Sequence, residues 1–267
     1  MRERIRATVR RAGLTRARAS SLRAGCERGL LALRRPVPPD DRARILCYHS
    51  VGTPQWGVND VQPRRFRRQL ETALSAGYSF VPAADIAGTG GQPKQLAVTF
   101  DDGLMSVATN AAPILADLGI PWTLFVVTDW ADGRGDFEQG LVLGWREIER
   151  LAGQGAEIGS HSLTHTRLST IPAGEVDREL AESGAVIEAR LGIRPTAFAI
   201  PVGRRQDWPD WAMEPARAAG YDTIYAACED TRPPGTVGRT MITSWDGDRI
   251  FRAALEGAYD RWEEWLL

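Results

Sequence analysis

Two groups of residues in this 267-residue chain have side chains that can bind a metal ion or transfer protons. His161 and His165 are four residues apart in the segment His-Ser-Leu-Thr-His. On a helical turn this spacing puts both imidazoles on one face, where they can share a metal ion. Asp101 and Asp102 offer two carboxylates, and the following Gly103 lets the chain turn tightly. At such a turn both carboxylates can face one cavity and take different roles.

Two histidines and one carboxylate leave coordination positions open for water and substrate, which is typical of a hydrolytic metal site. Each group also has an ordinary interpretation. A histidine pair is often just two polar residues of a helix, and Asp-Asp-Gly is often a plain turn. Both groups, however, directly follow apolar runs with the composition of buried strands. Their joint occurrence favours a mononuclear metal hydrolase.

The elements that must position these residues alternate along the chain. Apolar runs predict strands over 45–48, 96–100, 122–127, 156–160, 196–200 and 222–226. Helical periodicity predicts helices over 63–76, 104–118, 144–153, 173–191, 209–219 and 248–266. Such alternation is typical of βα units and a parallel sheet, and six or seven units favour a closed or nearly closed barrel. The polar groups then fall at the carboxyl ends of strands, where parallel α/β folds place their sites.

Composition narrows the class of protein. The chain is 43% hydrophobic and 25% charged, as expected of a globular protein with a sizeable core. Its net charge of −1 combines a formal charge of +9 over residues 1–44 with −10 over the remainder. An acidic body argues against a nucleic-acid-binding domain. Cys26, Cys47 and Cys228 are too few and too scattered for a disulfide framework or a zinc ribbon.

Residues 1–44 contain 13 arginines and no lysine, and we predict that they form a basic extension to a domain of residues 45–267. The extension lacks the continuous apolar segment of a cleaved secretion signal, so we expect a cytoplasmic location or the cytoplasmic membrane face. No stretch approaches the roughly 20 apolar residues of a membrane-spanning helix. A helix packed on the domain or on a partner, and attachment to an anionic membrane surface, both remain open. Three prolines at 36, 38 and 39 predict a stiff linker.

Several segments resemble the polysaccharide deacetylases, carbohydrate esterase family 4 with its NodB-homology domain. Residues 99–103 (Thr-Phe-Asp-Asp-Gly) match the first family motif, residues 161–165 match the second, and residues 198–203 (Phe-Ala-Ile-Pro-Val-Gly) resemble the third. The Tyr-His pair at 48–49 is similar to the start of the poly-N-acetylglucosamine deacetylase-type members. The resemblance spans nearly all of residues 45–250. It implies an α/β fold, a deformed and incompletely closed (β/α)7-type barrel that follows the basic extension.

The resemblance also implies roles for the polar residues. Asp102, His161 and His165 would bind a divalent metal, usually zinc in this family, with nickel, cobalt and iron(II) as alternatives. Asp101 would be the general base. The implied reaction removes an N-acetyl group from an amino sugar, in a polymer or in a lipid- or nucleotide-linked glycan precursor.

Two departures from the family pattern lead to further predictions. Commoner members carry a general-acid histidine near the C-terminus, but this chain has no histidine after His165. We therefore predict that His49 is the general acid, the alternative being a buried structural histidine. The usual arginine of the third motif is replaced by Ala199. We predict that Arg239 orients Asp101 in its place, the alternative being a surface arginine.

Nine tryptophans are many for this length, and aromatic faces stack on sugar rings. We predict substrate contacts for Trp208, Trp245 and Pro201, although tryptophans at such positions are often packing residues.

Two other functions stay open. One is a deacylase or deformylase of a small N-acylated sugar or natural-product precursor, which a closed pocket would favour over an open groove. The other is a catalytically inactive carbohydrate-binding protein, against which the complete set of polar residues argues.

Overall fold

The computed structural model describes residues 16–33, 38–135, 137–138 and 140–261. Its strands are β1 (Arg44–Tyr48), β2 (Ser50–Val51), β3 (Asp60–Val61), β4 (Ser79–Phe80), β5 (Gln95–Phe100), β6 (Trp122–Val126), β7 (Glu157–Ser160), β8 (Ala197–Ala199), β9 (Thr223–Tyr225) and β10 (Thr240–Met241). Its α-helices are α1 (Arg16–Leu33), α2 (Pro63–Ser75), α3 (Ala83–Thr89), α4 (Ala112–Leu118), α5 (Thr128–Ala131), α6 (Trp145–Gly153), α7 (Ala173–Leu191), α8 (Met213–Ala218) and α9 (Asp248–Leu255).

The main sheet is parallel throughout and curls towards closure. Its order is β10-β1-β5-β6-β7-β8-β9. The short strand β4 pairs with Gln95 and Leu96 at the start of β5, whereas β6 pairs with β5 from Val98 onwards. The segment before β10 approaches the other end of this order through one parallel bridge, between Val237 and Tyr225 of β9. The predicted α/β fold, a deformed and incompletely closed barrel, is confirmed.

Every second side chain of a strand points into the barrel, and the interior is filled by a mixture of large and small side chains. Ile45, Phe125 and Tyr225 pack there with small alanines, including Ala199. A larger apolar cluster fills the layer between the strands and the surrounding helices. Ala199 stands at the third-motif position where the resemblance implies an arginine, and its small side chain leaves room in the interior for a long side chain from elsewhere in the chain.

Proline positions explain where two predicted helices differ from the structure. The helix predicted over 209–219 is shorter, α8, because Pro215 has no N–H to donate and must lie in the first turn. The helix predicted over 104–118 begins as a π-helix at Val107–Ala111 and continues as α4, which carries Pro113 near its start. The last predicted helix ends at Leu255, before Gly257 with its φ of +90°. Residues 262–267 of that prediction lie outside the described residues.

Helix α1 of the basic extension packs on the barrel domain. Arg28 is fully buried and forms a bidentate ion pair with Asp246, with N–O distances of 2.5 Å. Its guanidinium also lies over the ring of Tyr259, 4.2 Å from the centroid. Gly25 sits so close to Trp245 that a side chain there would collide with the indole. Among the described residues, no helix has both the length and the apolar character needed to cross a bilayer.

Candidate metal and catalytic site

The two aspartates lie at the carboxyl end of β5, and the backbone turns sharply at the second one. The N–H of Asp101 donates to the carbonyl of Tyr48, which continues the pairing with β1. Asp102 and Gly103 then adopt left-handed conformations, with φ values of +73° and +71°. Asp tolerates this region better than most residues, and Gly adopts it freely. The reversal explains why two adjacent carboxylates face the same cavity.

The segment that carries His161 and His165 is a loop after β7, so the predicted helical turn is wrong. Ser162 and His165 have φ values of +69° and +65°, which a right-handed helix does not allow. The loop folds back, and the two imidazole centroids stand 4.9 Å apart. The two imidazoles therefore lie close together as predicted, but a loop with positive φ values brings them together instead of a helical turn.

A buried glutamate of α7 holds this loop. Glu179 is 2% exposed, and its Oε2 accepts hydrogen bonds from the N–H groups of Leu163 and Thr164, each at 2.9 Å. Its Oε1 accepts from the Thr164 hydroxyl at 2.7 Å. Sequence reasoning missed Glu179. The available signal was an acidic residue on the otherwise buried face of α7, between Val176 and Leu180.

Asp102, His161 and His165 form a cluster whose ligand atoms all lie within 4.8 Å of one another. Oδ1 of Asp102 lies 3.5 Å from Nε2 of His161 and 3.3 Å from Nε2 of His165. No donor reaches this buried oxygen with hydrogen-bond geometry among the described residues, as expected for an atom that faces a metal ion. Nδ1 of His161 lies 2.8 Å from the carbonyl of Ala199, which directs Nε2 to the cluster. One carboxylate and two imidazoles suit a divalent transition metal.

Arg239 lies inside the barrel, and its guanidinium forms a bidentate ion pair with Asp101. The two N–H···O distances are 2.7 and 2.8 Å, and both residues are buried. Two further donors reach the carbonyl of Ala226 at 3.0 Å and the hydroxyl of Thr99 at 3.2 Å. Burial alone raises the pKa of Asp101, but the charges of Arg239 and His161 outweigh it and lower the pKa to about 2. Asp101 is therefore held ionised and in one orientation.

His49 follows β1 and lies near both aspartates, close enough for its charge to lower their pKa values. Its Nδ1 is buried and makes no hydrogen bond to any described residue. The structure thus brings His49, which follows β1, and the guanidinium of Arg239, which precedes β10, to the aspartates at the end of β5, although these residues are far apart in sequence.

The residues predicted to contact substrate, Trp208, Trp245 and Pro201, pack against other parts of the protein. Trp208 is 4% exposed and packs on Phe198 in the core, with centroids 6.1 Å apart. Trp245 packs against Gly25 of α1. The indole of Trp208 is therefore covered by the core and that of Trp245 is partly covered by α1, and their contact with substrate stays a prediction. Pro201 is buried at the end of β8.

Other aromatic side chains stand beside the metal cluster. The ring of Trp130 lies 5.1 Å from that of His165, and Phe137 packs on Trp130 at 4.5 Å. Trp56 packs on Phe137 at 6.0 Å, and its indole N–H donates to Oδ2 of Asp102. Sequence reasoning gave Trp56 no role, since only the fold brings the segment after β2 to the end of β5.

Replacement of Arg239 by methionine would leave the buried Asp101 carboxylate without its arginine. The Asp101 pKa should rise from about 2, because burial favours the neutral acid. In the wild-type protein this carboxylate stabilises the fold above its ordinary pKa of 3.8, and that stabilisation is lost as the pH falls towards 2. We expect Arg239→Met to cost about 3–5 kcal/mol of unfolding free energy at pH 7. The further decrease in unfolding free energy on acidification should be smaller in Arg239→Met than in the wild-type protein.

Urea unfolding at several pH values and a carboxyl-carbon NMR titration of the metal-free protein measure both effects. Arg204→Met is the matched control, because it breaks another buried bidentate pair, with Asp207. This control should lose stability without a change in the Asp101 pKa. An Asp101 pKa that stays near 2 in Arg239→Met would contradict the explanation.

Comparison with known proteins agrees with this geometry. The family model for polysaccharide deacetylases matches residues 89–224, about half of the chain. YxkH of Bacillus subtilis is 22% identical over 182 residues, which cover 66% of this chain and 61% of YxkH. The chitooligosaccharide deacetylase of Sinorhizobium fredii is 32% identical over 102 residues, 38% of this chain and 42% of that protein. The match thus spans less than two thirds of the length of each of these two relatives.

Among solved structures, IcaB from Ammonifex degensii is similar with a TM-score of 0.67 and 25% identity. The match covers 81% of this chain and 98% of IcaB. The family model, the barrel and the order of the motif segments lead to one assignment: the chain belongs to the polysaccharide deacetylase family.

Proposed function

We propose that this protein is a metal-dependent hydrolase that removes N-acetyl groups from an amino sugar in a polysaccharide or a lipid- or nucleotide-linked glycan precursor. One observation carries the proposal. Three residues that can bind one metal ion lie together with a separately held, ionised carboxylate, Asp101, at the carboxyl ends of neighbouring strands. The similarity to a chitooligosaccharide deacetylase supports an amino-sugar substrate.

Asp102, His161 and His165 would hold the metal, and we propose zinc, with nickel, cobalt or iron(II) as alternatives. When bound, such an ion polarises the acetamide carbonyl and lowers the pKa of water. The chain itself supplies orientation. Glu179 fixes the loop with the two histidines, and Ala199 fixes the ring of His161.

Asp101 would accept the proton of the attacking water. Its ion pair with Arg239 has two opposite effects, because it orients the carboxylate but also makes it a weak base, with a pKa of about 2. Such a carboxylate accepts a proton efficiently only from water that is already acidified. Asp101 is therefore expected to act as a base only when Asp102, His161 and His165 hold a metal ion.

The amine must leave with a proton, and His49 is the proposed donor. It stands near both aspartates, and its buried Nδ1 is not committed to a described residue. A structural histidine of the core is usually held by a hydrogen bond through such an atom. This supports a role in catalysis over one in packing.

A deacylase or deformylase of a small N-acylated precursor is the alternative reaction, and an inactive carbohydrate-binding protein is the alternative class. Release of acetate from N-acetylglucosamine oligomers, from the monosaccharide and from N-formyl analogues separates these functions. Activity that requires an oligomer supports the proposal. Activity on the monosaccharide alone would favour the small-molecule alternative, and binding without turnover would favour the inactive protein.

Substitution of the two neighbouring aspartates separates the base from the ligand. Asp101→Asn should retain stoichiometric metal but lose roughly a hundredfold to ten-thousandfold in turnover, because it removes a proton acceptor and no ligand. Asp102→Asn should lose metal affinity. Metal analysis after gel filtration and acetate release measure both. The reverse pattern, with metal lost from Asp101→Asn and retained by Asp102→Asn, would exchange the two roles.

Substitution of His49 tests the proton donor. His49→Ala should bind metal normally and hydrolyse the amide at least about a hundredfold more slowly. The defect should shrink for an activated phenyl ester, whose leaving group needs no proton. A collapsed core would slow both substrates alike. Near-normal amide hydrolysis by His49→Ala would eliminate this residue as the acid.

We also propose that the extension of residues 1–44 contacts an anionic membrane surface, at the cytoplasmic face, beside the catalytic domain of residues 45–267. One face of α1 buries Arg28 and Ala32, whereas Leu22, Leu30 and Leu33 on another face are half-exposed or more. An exposed apolar stripe on a chain segment with a charge of +9 suits an interfacial helix. The cytoplasmic leaflet carries the anionic lipids that such a segment attracts.

Sedimentation with lipid vesicles tests this contact. The full chain should bind vesicles that contain phosphatidylglycerol, and binding should weaken with salt and be absent for pure phosphatidylcholine. Leu30→Asp with Leu33→Asp should weaken binding at least about tenfold, because each leucine loses its apolar contact. Ile193→Asp, at a residue exposed elsewhere, is the control. Equal binding by all three proteins would contradict the contact.

A further inference from the structure

The two oxygens of the Asp102 carboxylate have different surroundings. Oδ1 faces the imidazoles of His161 and His165, and no described donor reaches it with hydrogen-bond geometry. Oδ2 accepts a hydrogen bond from Nε1 of Trp56 at 3.2 Å. The carboxylate therefore has one oxygen turned to the metal cluster and one oxygen already occupied.

The segment that carries Trp56 is itself held in place. It is the short 3-10 segment Pro54–Asn59 between β2 and β3. Before it, Oδ1 of Asp60 accepts the N–H groups of Gly52 and Thr53, each at 2.7 Å. After Trp56, the carbonyl of Val58 accepts the N–H of Ser244 at 2.8 Å. The loop therefore holds the indole in place, and its ring also contacts Phe137 at a centroid distance of 6.0 Å.

We propose that Trp56 is a positioning residue for the metal, which makes Asp102 a ligand through one oxygen. This inference rests on the proposed metal site. A free carboxylate can bind a cation through one or both oxygens. A donor held against Oδ2 favours the first mode and keeps a coordination position available for water or substrate.

The Trp56 hydrogen bond also restrains a strained residue. Asp102 has a φ of +73°, so its side chain is aimed by an uncommon backbone conformation that the surroundings must hold. The indole contacts the carboxylate from the loop after β2. Trp56 therefore couples a surface loop to the geometry of a metal ligand.

Zinc affinity is the first test, measured for the full chain by competition with a chromophoric chelator. Trp56→Phe keeps the aromatic ring but removes the N–H, and we expect its affinity to fall by roughly 10–100-fold. Two controls should stay within about twofold of the wild-type affinity. Phe137→Leu removes packing on Trp56 but keeps the N–H, and Trp245→Phe removes an indole N–H that bonds to no described residue. A Trp56→Phe affinity within twofold of wild type overturns the proposal.

Cobalt substitution distinguishes positioning from general damage to the loop. In Trp56→Phe the released Oδ2 can approach the ion, so the visible Co²⁺ bands should weaken as the coordination number rises. The bands of both controls should match those of the wild-type protein. Weaker zinc binding by Trp56→Phe with an unchanged cobalt spectrum overturns the proposal, because Trp56 would then act through packing alone. Failure of the wild-type protein to bind either metal would instead overturn the proposed function.

Discussion

The buried pair of Arg239 and Asp101 is the constraint on which the site and the barrel both depend. Removal of two charges from water costs several kcal/mol for each ion, and only excellent geometry with further hydrogen bonds offsets that cost. Here both carboxylate oxygens are paired, and two further guanidinium donors reach Ala226 and Thr99. Arg239 directly precedes β10, and Ala226 directly follows β9. The residue that orients Asp101 therefore also links the segments next to the two end strands of the sheet.

The sequence could predict the features that depend on side-chain type and periodicity. The strands before Asp101 and His161 were recognisable as apolar runs, and the alternation with helices predicted the barrel. Arg239 could be inferred because Ala199 left the third motif without its arginine, and the structure places its guanidinium on Asp101. Its interior position also explains the neighbouring alanines, since small side chains leave the volume that a buried arginine fills.

The features that could not be predicted depend on backbone conformation and on long-range packing. Of the five described non-glycine residues with positive φ, four are Asp102, Ser162, His165 and Val202, all in the motif segments. Such conformations cost about 1–3 kcal/mol each and persist only when the surroundings impose them. Their side chains give little sign of this in sequence, which is why the histidine pair looked helical. Trp56 could not be singled out for a related reason, because only the fold decides which indole reaches Asp102.

The two adjacent aspartates differ because of what holds them, and this makes the proposed roles hard to exchange. Asp101 has both oxygens paired with the positive charge of Arg239, so a cation bound to it would lie close to a buried guanidinium. Asp102 has one oxygen on a neutral donor, Trp56, and the other oxygen turned to two imidazoles. A neutral donor orients a carboxylate without neutralising it, so its charge stays available for a cation. The proposed proton acceptor is thus paired with a fixed positive charge, while the proposed ligand keeps its negative charge for a cation.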